Sequence, residues 1–185
     1  MPPRVGPIVS GALDAHCVRL QPGDDLVSSL QEAARQTGAS ACFVITCVGS
    51  LDQVTLRMAS HTANVEDTTN DDDSIPATNT TVATAAAVAT AATSATSVSN
   101  NTTRTWNEPF EIVSLVGTLA PHDNNNSGAK HLHLAIADAN GTAFGGHLIS
   151  GRVFTTVELV LGSANGVLFS RVLDPTTGFQ ELVIE

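Results

Sequence analysis

The sequence predicts an α+β domain with a mainly antiparallel sheet and one or two helices. Two observations carry that reading. About eight short stretches are apolar or alternate apolar with polar residues, as strands do, while a single stretch has helical spacing. Turn-forming residues separate most of these stretches at short intervals, which suits antiparallel connections and not long crossovers. The 185 residues suit one domain spanning 1–185 with a good-sized core.

Residues 13–20, LDAHCVRL, read as the first strand. QPGDD then makes a turn and starts a helix, with Asp24 or Asp25 as N-cap. Leu26, Leu30, Ala33 and Ala34 recur on one helical face, and Gly38 is placed to end the helix. The continuous apolar run ACFVITCV, residues 41–48, reads as a central strand. Gly49-Ser50 reads as a turn, and Val54, Leu56 and Met58 alternate as in a half-buried strand.

Residues 62–105 are rich in Thr, Ala, Asn, Ser and Asp, with no aromatic residue, Leu or Gly. Their side chains are too small to offset the entropy of ordering, so the composition predicts a disordered insertion at about 60–105 within a loop between two strands. Order is expected to resume at Trp106. Residues 109–119 form a long strand, PHDNNNSGAK a polar loop, and 131–137 an alternating strand. Asp138-Ala139-Asn140-Gly141 turns the chain into a partner strand at 142–149. Further strands follow at 153–161, 167–173 and 179–184.

The aromatic share is 4%, so Val, Leu, Ile and Ala must build the core. The net charge is −10; residues 60–105 carry five acids against Arg104 alone, and the remainder is still at −6. Lys130 is the single lysine. That balance argues against nucleic acid as a partner of the chain itself, because a phosphate binder needs a basic footprint. Cys17, Cys42 and Cys47 form neither a CxxC pair nor an even set, and they read as small thiols in a reducing compartment. The Pro- and Gly-broken start lacks an apolar signal core, and no apolar run has membrane-spanning length. A cytoplasmic protein without a membrane partner is expected, with the nucleus also open.

The chemistry concentrates in HLHLAIADANGTAFGGHLI, which holds three of the six histidines. Period-two alternation puts His131 and His133 on one face, opposite Leu132, Leu134 and Ile136. The Asn140-Gly141 turn folds the next strand back, and Gly145-Gly146 permits close approach, so His147 can join them. Three imidazoles with one open position suit zinc or another borderline divalent metal. From the residues alone, the alternative is two histidines on a half-exposed sheet and a third capping a turn. His16, His61 and His122 have no such spacing. Arg152 and Arg171 are candidates either for an anionic ligand or for salt bridges. No Gly-x-Ser-x-Gly motif supports a nucleophilic triad.

The run His131/His133, Asp138…Gly141, Gly145-Gly146-His147-Leu148, Gly151, Thr156-Val157-Glu158 resembles the PPC domain, also called DUF296, found in plants and prokaryotes. PGDDLVSSLQEAARQTGASACFVITCVGSLDQVTLR, PFEIVSLVGTL and DPTTGFQELVI fit the same family, so the resemblance covers nearly all of the chain outside 60–105. It implies a compact α/β domain that assembles as a homotrimer, of the prokaryote-like, stand-alone type. The plant Arg-Gly-Arg-Pro AT-hook is absent from these residues, and the plant Gly-Arg-Phe-Glu-Ile-Leu motif stands here as Glu108-Pro109-Phe110-Glu111-Ile112-Val113 without its arginine. The resemblance favours a divalent metal, zinc first, at His131, His133 and His147. Glu158 becomes a candidate fourth ligand, a partner that orients a ligating histidine through a hydrogen bond, or a base. Two function classes follow: a metal-binding trimer acting on a small molecule, and a DNA-associated regulatory protein, the role the family name carries. Neither an enzymatic reaction nor a substrate is specified by the residues.

Overall fold

A computed structural model describes residues 6, 8–59, 102–122 and 128–185. Eight strands and one helix follow in the order β1 (Ala12–Leu20), α1 (Leu26–Gln36), β2 (Cys42–Arg57), β3 (Thr103–Trp106), β4 (Phe110–Ala120), β5 (Ala129–Ala137), β6 (Ala143–Asn165), β7 (Phe169–Leu173) and β8 (Gln180–Ile184). Strands take up 63% of the described residues and the helix 8%, which makes the domain sheet-dominated and more nearly all-β than α+β. The antiparallel expectation holds in every strand pair.

The helix forms where its spacing and cap place it. Asp25 is the N-cap, its Oδ1 accepting from the Ser28 backbone N–H at 2.7 Å. Leu26, Val27, Leu30 and Ala34 are buried, and burial of the Leu and Val side chains contributes about 1.5–3 kcal/mol each. Gly151 on β6 makes room for that packing: a Cβ there would lie 3.2 Å from Leu51 and 3.6 Å from Leu26.

Two sequence-predicted breaks turn out to be continuous strand. Gly49-Ser50 does not end a strand; β2 runs through it for 16 residues, with a register shift between Gly49 and Leu51. Gly49 has φ 139°, and a Cβ there would meet the Thr156 carbonyl oxygen at 2.1 Å. The glycine thus serves a bulge against β6 and no turn. Gly151 likewise lies inside β6, whose 23 residues absorb the two strands expected at 142–149 and 153–161.

These long strands close the sheet. β6 pairs with β5 through residues 143–147 and with β2 through 147–163; β5 pairs with β4, and β4 with β2. The ring β2–β4–β5–β6 encloses a core of Leu51, Val54, Leu56, Ile112, Leu115, Leu132, Leu134, Ile136 and Leu148. β1 adds to the far half of β6. Phe169 of the β7–β8 hairpin and Val167 just before it pack on Ala41 and Ala120 in a second, smaller cluster.

The insertion expected at about 60–105 lies outside the described residues over 60–101. Its C-terminal bound needs correction, because Thr103–Trp106 is strand β3, paired with Val54–Arg57. Chain exit and return are adjacent: the Met58 N–H donates to the Thr102 carbonyl at 2.9 Å.

Candidate metal centre

The β5–β6 hairpin builds the site. Asp138 Oδ1 accepts from the backbone N–H groups of Asn140 (2.9 Å) and Thr142 (2.8 Å), and the Gly141 N–H returns to the Asp138 carbonyl at 2.9 Å. Gly141 sits at φ 78°, a conformation that favours glycine. This turn fixes the register so that His147 stands directly opposite His133. Opposed residues of an antiparallel pair point to the same face, with Cβ atoms about 5 Å apart. His131 and His133 are exposed, and their buried neighbours Leu132, Leu134 and Ile136 face the core, as the alternation predicts.

The three imidazoles converge. One ligand nitrogen from each of His131, His133 and His147 lies within 4.8 Å of the others. Ring centroids are 5.0, 5.2 and 5.5 Å apart. His131 Nε2 and His133 Nε2 are 3.0 Å from one another. Two nitrogens held by one tetrahedral zinc at about 2.0–2.1 Å would stand about 3.3 Å apart, so the pair needs little adjustment to share an ion. His147 is half-buried, and its Nδ1 has no hydrogen-bond partner among the described residues. An unsatisfied buried ring nitrogen in a cluster of imidazoles is what a metal would relieve, so the donor set fits a borderline divalent ion.

Two glycines let the flanking strands press against the hairpin. At Gly117, φ 148°, a Cβ would lie 2.0 Å from the His131 carbonyl oxygen; at Gly146 it would lie 2.7 Å from the Arg57 carbonyl oxygen. Arg57 thereby stands opposite His147 on β2, completing a cross-strand row Arg57–His147–His133–Val116. Behind His131 its β4 partner Thr118 accepts from Arg171 Nη2 at 3.0 Å, while Arg171 Nη1 donates to the Gln180 carbonyl at 3.0 Å.

Burial, followed by the positive charge of Arg57 and then by the neighbouring His131, His133 and Lys130, pushes the His147 pKa down to about 4. Burial also lowers His131, helped by Arg171, His133 and Arg57 and opposed by Glu181. Both rings are therefore neutral at pH 7, the form that ligates metal.

Glu158 does not join this group. It lies exposed eleven residues beyond His147 on β6, opposite Arg19 on β1 and Val48 on β2. An extended strand rises about 3.3 Å per residue, which puts it on the order of 30 Å along the strand from the histidines. The sequence predicts a separate strand at 153–161 for Thr156-Val157-Glu158; instead these residues belong to the continuous β6, which carries them away from the histidines. His16 Nε2 is bonded to Ser163 Oγ at 2.9 Å, His122 is exposed after β4, and His61 falls outside the described residues. Arg152 pairs with Asp52 at 2.7 Å, so of the two arginines only Arg171 reaches the histidines. Arg57 and Glu181 escaped sequence reasoning, since no local pattern tells which residue of β2 or β8 lies beside β5 and β6.

The family profile of the Plants and Prokaryotes Conserved (PCC) domain matches residues 9–165. The chain belongs to that family. Two curated relatives, both named Bifunctional protein GlmU, come from Synechococcus strains JA-3-3Ab and JA-2-3B'a(2-13). They are 35% and 34% identical over 98% and 97% of this chain, which spans about a fifth of their length (22% and 21%). Among solved structures, a hypothetical protein from Salmonella cholerae-suis is 27% identical, with TM-score 0.68 over 96% of both chains. The metal-containing protein AF0104 from Archaeoglobus fulgidus is 18% identical, with TM-score 0.67 over 96% of this PCC chain and 99% of its own. The β7–β8 hairpin, with Arg171 and Glu181, lies beyond the residues that the PCC profile matches.

Proposed function

We propose that this PCC-domain chain binds one divalent metal ion, zinc as the first choice, through His131, His133 and His147, and that it works on a small-molecule ligand as a homotrimer. The observation that carries the reading is the convergence of three ring nitrogens within 4.8 Å on two strands locked in register. The description of the Archaeoglobus structure as metal-containing accords with it. Bound in this way, a zinc ion would offer an open Lewis-acid position. The chain's own contribution is to keep His131 and His147 neutral, to orient three rings from a rigid sheet, and to leave the site facing outward from the core.

The assembly rests on a separate observation. Val113 and Val116 on β4, Ile45 and Val48 on β2, and Phe154 on β6 are 44–59% exposed. Val116 stands beside His133 in the cross-strand row. A threefold arrangement would cover such outward apolar residues. With one lysine and net charge −10, the chain is not expected to bind duplex DNA by itself.

Elemental analysis after metal depletion and reloading tests the site. One zinc per chain in the wild type, and well under half of that after His133→Ala, is the expected result. A wild type that takes up no stoichiometric ion overturns it. Light scattering should give about three times the 19.1 kDa chain mass, and a monomer would refute the trimer.

A further inference from the structure

Two arginines stand on the face of the three histidines, and Lys130 adds positive charge from the neighbouring position of β5. Arg57 is the cross-strand neighbour of His147, Lys130 precedes His131 on β5, and Arg171 is tied to Thr118 directly opposite His131. The ligand set holds no carboxylate or thiolate. Glu181 is the acidic group that acts on His131, against the arginines on either side. Such a balance is unusual for a region of a chain whose net charge is −10. A bound dication would add two more positive charges, and excess charge near a partly buried centre is costly unless an anion answers it.

The two arginines are placed differently. Both Nη groups of Arg171 donate to protein oxygens, at Thr118 and Gln180, so it supplies a fixed charge. Arg57 shares the sheet face of His147 and His133, and a guanidinium fork matches two oxygens of one carboxylate or phosphate.

We propose that Arg57 holds a small oxyanion, carboxylate or phosphate, against the open side of the three-histidine centre, with Arg171 as a fixed positive charge behind it. The proposal rests on the metal reading above and names the class of ligand that site takes.

The test uses the zinc-loaded full chain as wild type, Arg57→Met and Arg57→Lys. Zinc content is measured on each, and each is titrated calorimetrically with malonate and with inorganic phosphate. The wild type binds at least one of the two anions, and which one assigns the oxyanion's source. Arg57→Met keeps its zinc and loses tenfold or more in anion affinity, whereas Arg57→Lys, which keeps charge without the fork, falls between. Wild-type affinity in both variants, or a zinc-loaded wild type that binds neither anion at millimolar concentration, overturns the proposal. Zinc content separates the two readings: a wild type without zinc sinks the metal site itself.

Discussion

Lowering the pH from 7 to 4 should destabilise the metal-free protein through His147. Its folded pKa is pushed down to about 4, first by burial of the ring and then by the positive charge of Arg57 on β2 and of His131, His133 and Lys130 on β5. The unfolded chain has the ordinary value of about 6.5 and takes the proton first. His147 therefore has no effect on stability above about pH 6.5, lowers it progressively as pH falls from 6.5 to about 4, and adds nothing further below that. Each unit of depression is worth about 1.4 kcal/mol, and solvent screening of a half-buried ring reduces the total to about 2–3 kcal/mol. His131, also lowered, acts in the same direction. Urea midpoints of wild type and His147→Gln, compared in steps across that window, isolate the effect, since the carboxylates common to both cancel. Parallel pH profiles would show that the His147 ring protonates freely in the fold, and the reasoning on its burial would fail.

Three other outcomes follow from particular contacts. His133 is exposed, so His133→Ala should change metal-free stability by no more than about 0.5 kcal/mol. In the wild type, zinc at about 100 times its Kd adds about 2.7 kcal/mol, which raises Tm by roughly 5–10 °C in a chain of this size. His133→Ala should abolish that rise, and an unchanged rise counts against the ligand assignment. Gly117→Ala would drive a Cβ into the His131 carbonyl at a left-handed φ, costing about 2–4 kcal/mol by urea denaturation together with zinc uptake; wild-type behaviour would contradict it. Burial raises the Cys42 thiol and pushes Cys47 up to about 12, while Cys17 is exposed. One thiol per chain should therefore react quickly with a maleimide near neutral pH, and three equal rates would refute the burial.

The histidine centre was legible because its parts are local. Alternation fixes the faces of β5, and Asp138 with Gly141 fixes the turn, so His147 is set beside His133 within seventeen residues of chain. The cationic shell was not legible. Arg57 reaches His147 only through the pairing of β2 with β6, a contact spanning 90 residues whose register depends on bulges. Gly49 sits at one of these bulges, and Gly151 in regular register with Val54, so neither breaks its strand. A glycine in a strand marks a turn or a close approach with equal economy, and only the packed neighbours, the Thr156 backbone at Gly49 and the Leu51 and Leu26 side chains at Gly151, decide which. Glu158 falls outside the histidine centre for that reason: β6 continues through Gly151 without a turn.

Anomalous scattering measured on either side of the zinc absorption edge, from crystals of zinc-loaded wild type, tests the central claim most directly. The account predicts one strong peak per chain, bonded to ring nitrogens of His131, His133 and His147 at about 2.0–2.1 Å. Zinc-loaded crystals with no peak among those rings, or with the peak held by other residues, would contradict it.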